Sequence, residues 1–452
     1  MDDRLAALVS RRDVLKWGAA LGSAGLLSRS LLGPPPSEAF PADPFFAGVC
    51  RMVYHENPWG PHPAAVEAIR EVLAKGLAGA GINRYDDYLQ NDLKHAILRH
   101  NGLEGSLTAE NVILGVGSSE VLFMAADAFT SPERPLLTEW ITYRIILQRA
   151  GQNGAEVIRV PLRGDWEPDL DRMLDAAQEA AESGKPIGLV HFNLINNPAG
   201  TFLERDRFDA FARRLYEVSP ETVLLCDDSD REYMDADKQP LLFGPARHVA
   251  EGRRMLHVQT FSHIFGLTGL RVGYGLAPAE VVRAMEARKI FAGVNVAGHQ
   301  AALASLANAD EQIRRCHRAC TESRAWLDTA LSALGLEHLP SQGHYILINL
   351  GSMDGTIAVL RMFFVQKVFI RWGSEWGMDN WIRVNPGTEW ENERFIEALR
   401  WVLDTGSAGL SAREYLDTTE GKRLAAAAVE RGFPPRAIAR ALAPVPAPRP
   451  PL

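Results

Sequence analysis

The stretch 260-TFSHIFGLTGLRVGYG-275 follows directly on an apolar run, 254-RMLHVQT-260. The apolar run predicts a strand, and the glycines and hydroxyl side chains after it predict a polar loop. This loop carries the hydroxyl of Ser262 near one end and the guanidinium of Arg271 near the other. Because a guanidinium can grip phosphate with two hydrogen bonds, the pair favours an anion site. His263 stands beside Ser262, within this candidate site.

Three other strand patterns also end in polar clusters. They are 111-NVILGVGSSEV-121, 186-PIGLVHFNLINNPAG-200 and 221-ETVLLCDDSD-230. From about residue 45 onward such strands alternate with helical patterns, which predicts an α/β fold with a mostly parallel central sheet flanked by helices. Ligands of such sheets bind beyond the carboxyl ends of the strands, where all four polar clusters fall.

A smaller α/β domain is predicted after a long helical stretch at about residues 297–334. Its strands would be 344-HYILINL-350, 367-KVFIRW-372 and 380-NWIRVNP-386. The predicted segments are a signal peptide (1–39), an N-terminal arm (40–85), a large domain (86–305), a small domain (306–405), and a helical extension with a Pro-rich tail (406–452).

The composition is ordinary for an α/β protein, with 46% hydrophobic and 23% charged residues among 452. A net charge of -8 argues against nucleic acid as the main partner, because phosphate binding favours a basic surface. The four cysteines make no disulfide framework. Cys316 and Cys320 lie one helical turn apart, but nothing nearby completes a ligand set, so we expect no metal there and two helix-surface thiols.

The amino terminus, 10-SRRDVLKWGAALGSAGLLSRSLLG-33, has paired arginines followed by an apolar run. Serines and Arg29 interrupt the run, so it is too short and polar for a membrane span. The pattern resembles a twin-arginine export signal, with a weak cleavage point after Ala39. It predicts export by the twin-arginine machinery to the periplasm or beyond, a route suited to proteins that take up a cofactor before export.

Single residues at the strand ends suggest how a charged ring could be held. Ser118 and Ser119 open a helix, where free N–H groups and hydroxyls suit a phosphate. Asp227 ends an apolar strand, and a carboxylate there can keep a pyridine nitrogen protonated. Asn197, in a rigid turn, could meet a ring hydroxyl, and Trp140 offers a flat face for stacking.

These segments resemble the fold-type-I pyridoxal-phosphate enzymes, and most closely the histidinol-phosphate aminotransferase branch of the class I/II aminotransferases. The resemblance runs from about residue 51 to 403. The segments 55-HENPWGP-61, 83-NRYDDY-88, 196-NNPAG-200 and 265-FGLTGLRVGY-274 resemble family motifs, as do GSSE and 381-WIRVNPGTEWENERFIEAL-399.

The resemblance implies a role for each residue. Ser118, Ser119, Ser262 and Arg271 would hold the phosphate of the cofactor, with Tyr85 reaching over from the second subunit of a homodimer.

The remaining roles concern the cofactor ring and the substrate. Trp140 would stack on the ring, Asn197 would meet its hydroxyl, and Asp227 would pair with its nitrogen. Arg383 would grip the carboxylate of an amino or keto acid.

The chain departs from the family pattern at three places. Leu194 and Ile195 replace polar and rigid residues, Asp230 stands where the family has a tyrosine, and His263 stands where the family has its Schiff-base lysine. An imidazole cannot form the stable covalent link of the lysine, but it can transfer protons. None of the eight lysines is an obvious substitute.

Three hypotheses follow. The protein could bind pyridoxamine phosphate noncovalently with His263 as acid/base, a residue that some sugar dehydratases of the family also have there. It could catalyse a modified amino-acid reaction with noncovalent pyridoxal phosphate. It could instead be a degenerate member that binds a ligand or partner without turnover. We favour a cofactor-binding enzyme in which His263 and Asp227 are catalytic and Asp230 lies near the cofactor ring.

Overall fold

The structure is a computed structural model that describes residues 48–75, 81–85, 90–289, 293–405, 410 and 412–430. The described residues belong to one compact unit. The predicted signal peptide lies outside them, so export stays a prediction. None of the described helices is long and apolar enough to cross a bilayer.

Twelve strands are formed by the described residues. They are β1 (Cys50–Arg51), β2 (Val112–Val116), β3 (Leu136–Glu139), β4 (Val157–Val160), β5 (Leu189–Asn193), β6 (Val223–Asp227), β7 (Met255–Thr260), β8 (Val272–Leu276), β9 (Ile346–Asn349), β10 (Val368–Phe369), β11 (Arg371–Trp372) and β12 (Trp381–Val384).

Fourteen α-helices accompany the strands in the same described ranges. They are α1 (Pro63–Ala74), α2 (Asn91–His100), α3 (Gly117–Phe129), α4 (Ile145–Gln152), α5 (Leu170–Glu182), α6 (Arg205–Val218), α7 (Pro245–Ala250), α8 (Ala279–Glu286), α9 (Val296–Ala307), α10 (Ala309–Ala333), α11 (Gly355–Gln366), α12 (Glu389–Asp404), α13 (Ala412–Asp417) and α14 (Thr419–Glu430).

The central sheet has seven strands in the order β2-β8-β7-β6-β5-β3-β4. Only β8 runs antiparallel to its neighbours, so the predicted mostly parallel α/β sheet is confirmed. The inner strands β5 to β8 bury both faces. In β6, Leu224 and Cys226 pack into one apolar cluster, and Val223 and Leu225 pack into another. Helices α5 and α6 cover the first face, and α3 and α8 cover the second. Continuous apolar runs are expected of strands buried in this way.

A second, smaller sheet of three antiparallel strands has the order β11-β12-β9. The segment 367-KVFIRW-372, expected as one strand, is two. Val368–Phe369 pairs with β1, whereas Arg371–Trp372 pairs with β12. The expected single helix of residues 297–334 is likewise two helices, α9 and α10, which meet at Asn308.

The cysteines of α10 are core residues, contrary to the expectation of surface positions. Cys316 and Cys320 are both 0% exposed. They pack against apolar residues that include Ile264 and Phe261 of the loop after β7. Helix α10 therefore supports the loop that carries His263.

Candidate active site

An anion cradle forms where the N-terminus of α3 meets the start of β8. A Cβ atom at Gly117 would lie 2.2 Å from Nη2 of Arg271, and one at Gly273 would lie 2.1 Å from the backbone nitrogen of Ser118. Nη1 of Arg271 is 3.4 Å from Oγ of Ser262. The two glycines thus allow the guanidinium to approach the helix terminus, where backbone N–H groups and the helix dipole favour an anion.

Asp227 ends β6 and is 5% exposed. Its Oδ1 accepts a hydrogen bond of 2.5 Å from the Ser229 hydroxyl. Burial raises the pKa of Asp227 to about 6, against the Ser229 hydrogen bond that lowers it, and the charge of Asp230 raises it further. No ion pair of the described residues includes this carboxylate. A cation beside it would stabilise its ionised form.

Asn197 and Arg383 meet directly, although they are far apart in sequence. Nη1 of Arg383 donates to Oδ1 of Asn197 over 2.7 Å, and Nη2 donates to the carbonyl of Val53 over 2.9 Å. Both side chains line a cavity of about 370 Å³ that also contains Tyr143 and Arg371. Burial, and next the charge of Arg371, lower the pKa of Arg383 to about 9, which leaves it mostly cationic at neutral pH.

Trp140 is not placed with these residues. Its indole lies 4.1 Å from the Arg159 guanidinium, and it does not line the cavity. Tyr143 is one of the aromatic residues that do line the cavity. It hydrogen-bonds to Ser119, and burial, then the charge of Asp227, raise its pKa. Because the chain turns after β3, Tyr143 is directed toward the site, and it is the better candidate for the stacking role predicted for Trp140.

His263 contacts Asp230, which follows the neighbouring strand β6. Its Nδ1 lies 3.1 Å from Oδ1 of Asp230 and 3.1 Å from the carbonyl of Ser229. Burial disfavours the imidazolium, but the charge and hydrogen bond of Asp230, together with Asp227, outweigh it and raise the pKa of His263. The two unusual residues of the sequence therefore form one pair.

His55 completes the surroundings of this pair. Its ring lies edge-on to that of His263, with centroids 5.3 Å apart, and stacks on Tyr345 at 4.8 Å. Burial, followed by the charge of Arg383, lowers the pKa of His55 well below its ordinary value, so it is neutral. Sequence reasoning did not single out His55 as a site residue, although His55 begins the family-like HENPWGP motif.

Tyr85 is largely exposed, at 83% of its surface. Its predicted role, reaching into the site of a second subunit, stays a prediction.

These features define an α/β protein with an anion cradle, a buried carboxylate and a buried arginine at one end of its sheet. Comparison with known families gives the assignment. The family described as aminotransferase class I and II matches residues 54–399.

Individual relatives agree with the family match. The histidinol-phosphate aminotransferase of Akkermansia muciniphila is 33% identical over 356 residues, covering 78% of this chain and 90% of that protein. That of Moorella thermoacetica is 31% identical over 356 residues, covering 78% and 86%. The chain therefore belongs to the class I and II aminotransferases and is an aminotransferase-family enzyme.

The fold agrees as well. The crystal structure of histidinol-phosphate aminotransferase from Sinorhizobium meliloti in complex with pyridoxal-5'-phosphate superimposes with a TM-score of 0.70 at 24% identity. The superposition covers 79% of this chain and 91% of that one. The predicted family and fold class are both confirmed.

Proposed function

We propose that this enzyme binds pyridoxal phosphate or pyridoxamine phosphate noncovalently and acts on an amino or keto acid, with His263 as its acid/base group. The observation that carries the proposal is the joint placement of an anion cradle, a buried carboxylate and a buried arginine around His263. When bound, the cofactor would supply an electron sink for bonds to the substrate carbon.

The residues fit a phosphorylated, protonated ring. The cradle of Arg271, Ser262 and the start of α3 suits a phosphate, since the glycines at 117 and 273 leave no room for a side chain. Burial raises the pKa of the Asp227 carboxyl, and a protonated ring nitrogen beside it would lower that pKa again. Asn197, beside Arg383, could meet the ring hydroxyl.

The substrate end of the site is cationic. Arg383 has no ion-pair partner in the described part of the chain, and its Nε there lacks a hydrogen bond. A buried guanidinium of this kind suits a carboxylate ligand, because the hydrogen bonds and negative charge of the ligand would replace the water that the guanidinium loses on burial. His263 would then move protons at the substrate carbon without the covalent link that a lysine forms.

The test is a titration of the purified protein with pyridoxamine phosphate and with pyridoxal phosphate, in which binding is monitored by absorbance and by calorimetry. We expect micromolar or tighter binding that Arg271→Ala weakens by roughly 10- to 1,000-fold, as loss of charge-assisted hydrogen bonds implies. Arg247→Ala, at an exposed position on α7, is the matched control and should bind as the unaltered protein does. Failure of both forms to bind at millimolar concentration would instead support a degenerate, ligand-binding member of the family.

A further inference from the structure

We propose that Asp230 is a positioning residue for His263: with the Ser229 carbonyl it holds a proton on Nδ1, so that Nε2 exchanges protons in the site. This inference rests on the proposed function, since it specifies how the same histidine works. It goes beyond that function by assigning Asp230 to the histidine rather than to the cofactor ring.

The geometry fixes where the ring proton lies. Nδ1 of His263 is 3.1 Å from the Ser229 carbonyl, which can only accept a hydrogen bond. It is also 3.1 Å from a carboxylate oxygen of Asp230. Both neighbours require an N–H on Nδ1, so the neutral ring carries its lone pair on Nε2.

The opposite ring nitrogen is left for chemistry. Within the described ranges, Nε2 of His263 has no hydrogen-bond partner, and the side chain is 16% exposed. The nitrogen that the described residues leave without a hydrogen bond is therefore the one that can accept or donate a proton in the site.

The charged surroundings favour the same assignment. Asp227 and Asp230 approach from the end of β6, while His55 approaches from the N-terminal segment and His344 from two residues before β9. Both of these histidines are neutral, because burial lowers their pKa values, that of His344 to about 3. Burial opposes protonation of His263, but the two carboxylates and the Ser229 carbonyl outweigh it and raise the pKa of the imidazole.

The pair also gives a physical reason for two departures from the family pattern. The family has a tyrosine where this chain has Asp230, and a lysine where it has His263. A lysine needs no orientation of a ring, whereas an imidazole must present one chosen nitrogen. A carboxylate at 3.1 Å supplies that orientation, which a tyrosine, carrying no charge at neutral pH, would supply less well.

A metal site is the competing interpretation of the same side chains. Ligand atoms of His55, Asp230 and His263 lie within 4.8 Å of one another. Because Nδ1 of His263 also donates to a carbonyl, the present arrangement is that of a hydrogen-bonded pair.

The experiment is a pH titration of the cofactor-free protein labelled with [¹³Cε1]histidine, read by ¹H–¹³C correlation NMR. His263→Gln identifies the signal among those of the 12 histidines. We expect His263 to titrate above ~6.5 and Asp230→Asn to lower its midpoint by about one unit or more, because the charge is lost while an acceptor oxygen remains. Asp230→Glu should keep the midpoint close to that of the unaltered protein.

Asp209→Asn is the matched control, because Asp209 pairs with buried His248 at 2.8 Å, outside the site. It should move the signal of His248 and leave that of His263 in place. A His263 midpoint that does not respond to Asp230→Asn would overturn the proposal. So would micromolar binding of Zn²⁺ that is lost in His263→Gln. Since no cofactor is needed, a failure here is distinct from failure of the cofactor titration.

Discussion

The loop of His263 is fixed by side chains from outside the central sheet. Nδ2 of Asn57 donates to the carbonyl of His263 over 3.1 Å and to that of Ile264 over 3.0 Å. Gln312 of α10 donates to the Ile264 carbonyl over 2.8 Å. Protein contacts alone thus hold both the backbone and the ring of His263, so the site is arranged before a ligand binds, as catalysis favours.

Gly117 offers a test of the anion cradle at a single atom. An alanine there would place its Cβ 2.2 Å from Nη2 of Arg271, the end of a flexible side chain that can move away. We expect Gly117→Ala to displace the guanidinium and weaken binding of pyridoxamine phosphate by about 10-fold or more. Because the backbone at this position is left-handed (φ 72°), the alanine should also lower the free energy of unfolding by about 1 kcal/mol.

Gly184→Ala separates these two effects. Gly184 follows α5 with a φ of 77°, and an added Cβ would meet nothing within 4 Å. The Gly184→Ala variant should lower the melting temperature as Gly117→Ala does, but it should leave the affinity for pyridoxamine phosphate unchanged. Equal affinity in both variants would show that Arg271 does not depend on Gly117.

At the scale of single elements, β3 ends in a buried acid. Glu139 is 0% exposed, and neither carboxyl oxygen has a hydrogen-bond partner of good geometry in the described structure. Burial raises its pKa to about 8, although polar groups of Asn196, Asn193 and Thr142 act to lower it. The protonated form is therefore the one that the folded strand accommodates at neutral pH.

Glu139→Gln should be more stable than the unaltered protein, by a margin that grows as the pH rises. In the unfolded chain the carboxyl ionises near ~4.5, but in the folded chain only near 8, so stability is lost as the pH rises between these values. A glutamine does not ionise, and the gain should grow from about zero at pH 4 to roughly 1–3 kcal/mol at pH 8. Denaturant unfolding at several pH values, at one protein concentration, measures this. The exposed Glu179→Gln of α5 should show no such trend, and parallel curves for the unaltered protein and Glu139→Gln would contradict the prediction.

The central strands β2, β5, β6 and β7 could be predicted from sequence because each is a continuous apolar run followed by polar residues. Strand β8, with the sequence VGYGL, could not be predicted this way because two glycines weaken a strand pattern. Its position depends instead on the close contact of Gly273 with Ser118, which only the folded chain shows.

Within the site, residue types could be predicted more readily than contacts. Sequence motifs pointed to Ser262, Arg271, Asp227 and His263, and the structure gathers them at one end of the sheet. The pairing of Asp230 with His263 could not be foreseen, because it depends on β6 and β7 being neighbours.

At the scale of the whole molecule, the matched family region is extended by a helical pair. Helices α13 and α14 lie beyond residue 399, where the family match ends. Tyr415 of α13 packs on Ile357 of α11, and Nε of Arg361 is 3.6 Å from Glu420 of α14. The extension therefore packs against α11 through one apolar contact and one ion pair.

The exposed Tyr85 motivates a prediction about assembly. Its exposure of 83% suits a side chain that contributes to the site of a second copy. We predict a homodimer in which Tyr85→Phe weakens binding of pyridoxamine phosphate by about 10-fold, the loss of one hydrogen bond to a charged group. Light scattering gives the mass, and titration gives the affinity.

Mixing two defective variants tests whether the tyrosine acts across the interface. In a dimer of one Tyr85→Ala chain and one Arg271→Ala chain, one site receives both defects and the other receives neither. Free exchange of subunits in an equal mixture should restore about a quarter of the high-affinity sites, because half of the dimers are mixed and each has one intact site. If Tyr85 acted within its own chain, mixing would restore none, since every site would keep one defect. A monomer by light scattering would contradict the prediction before any mixing.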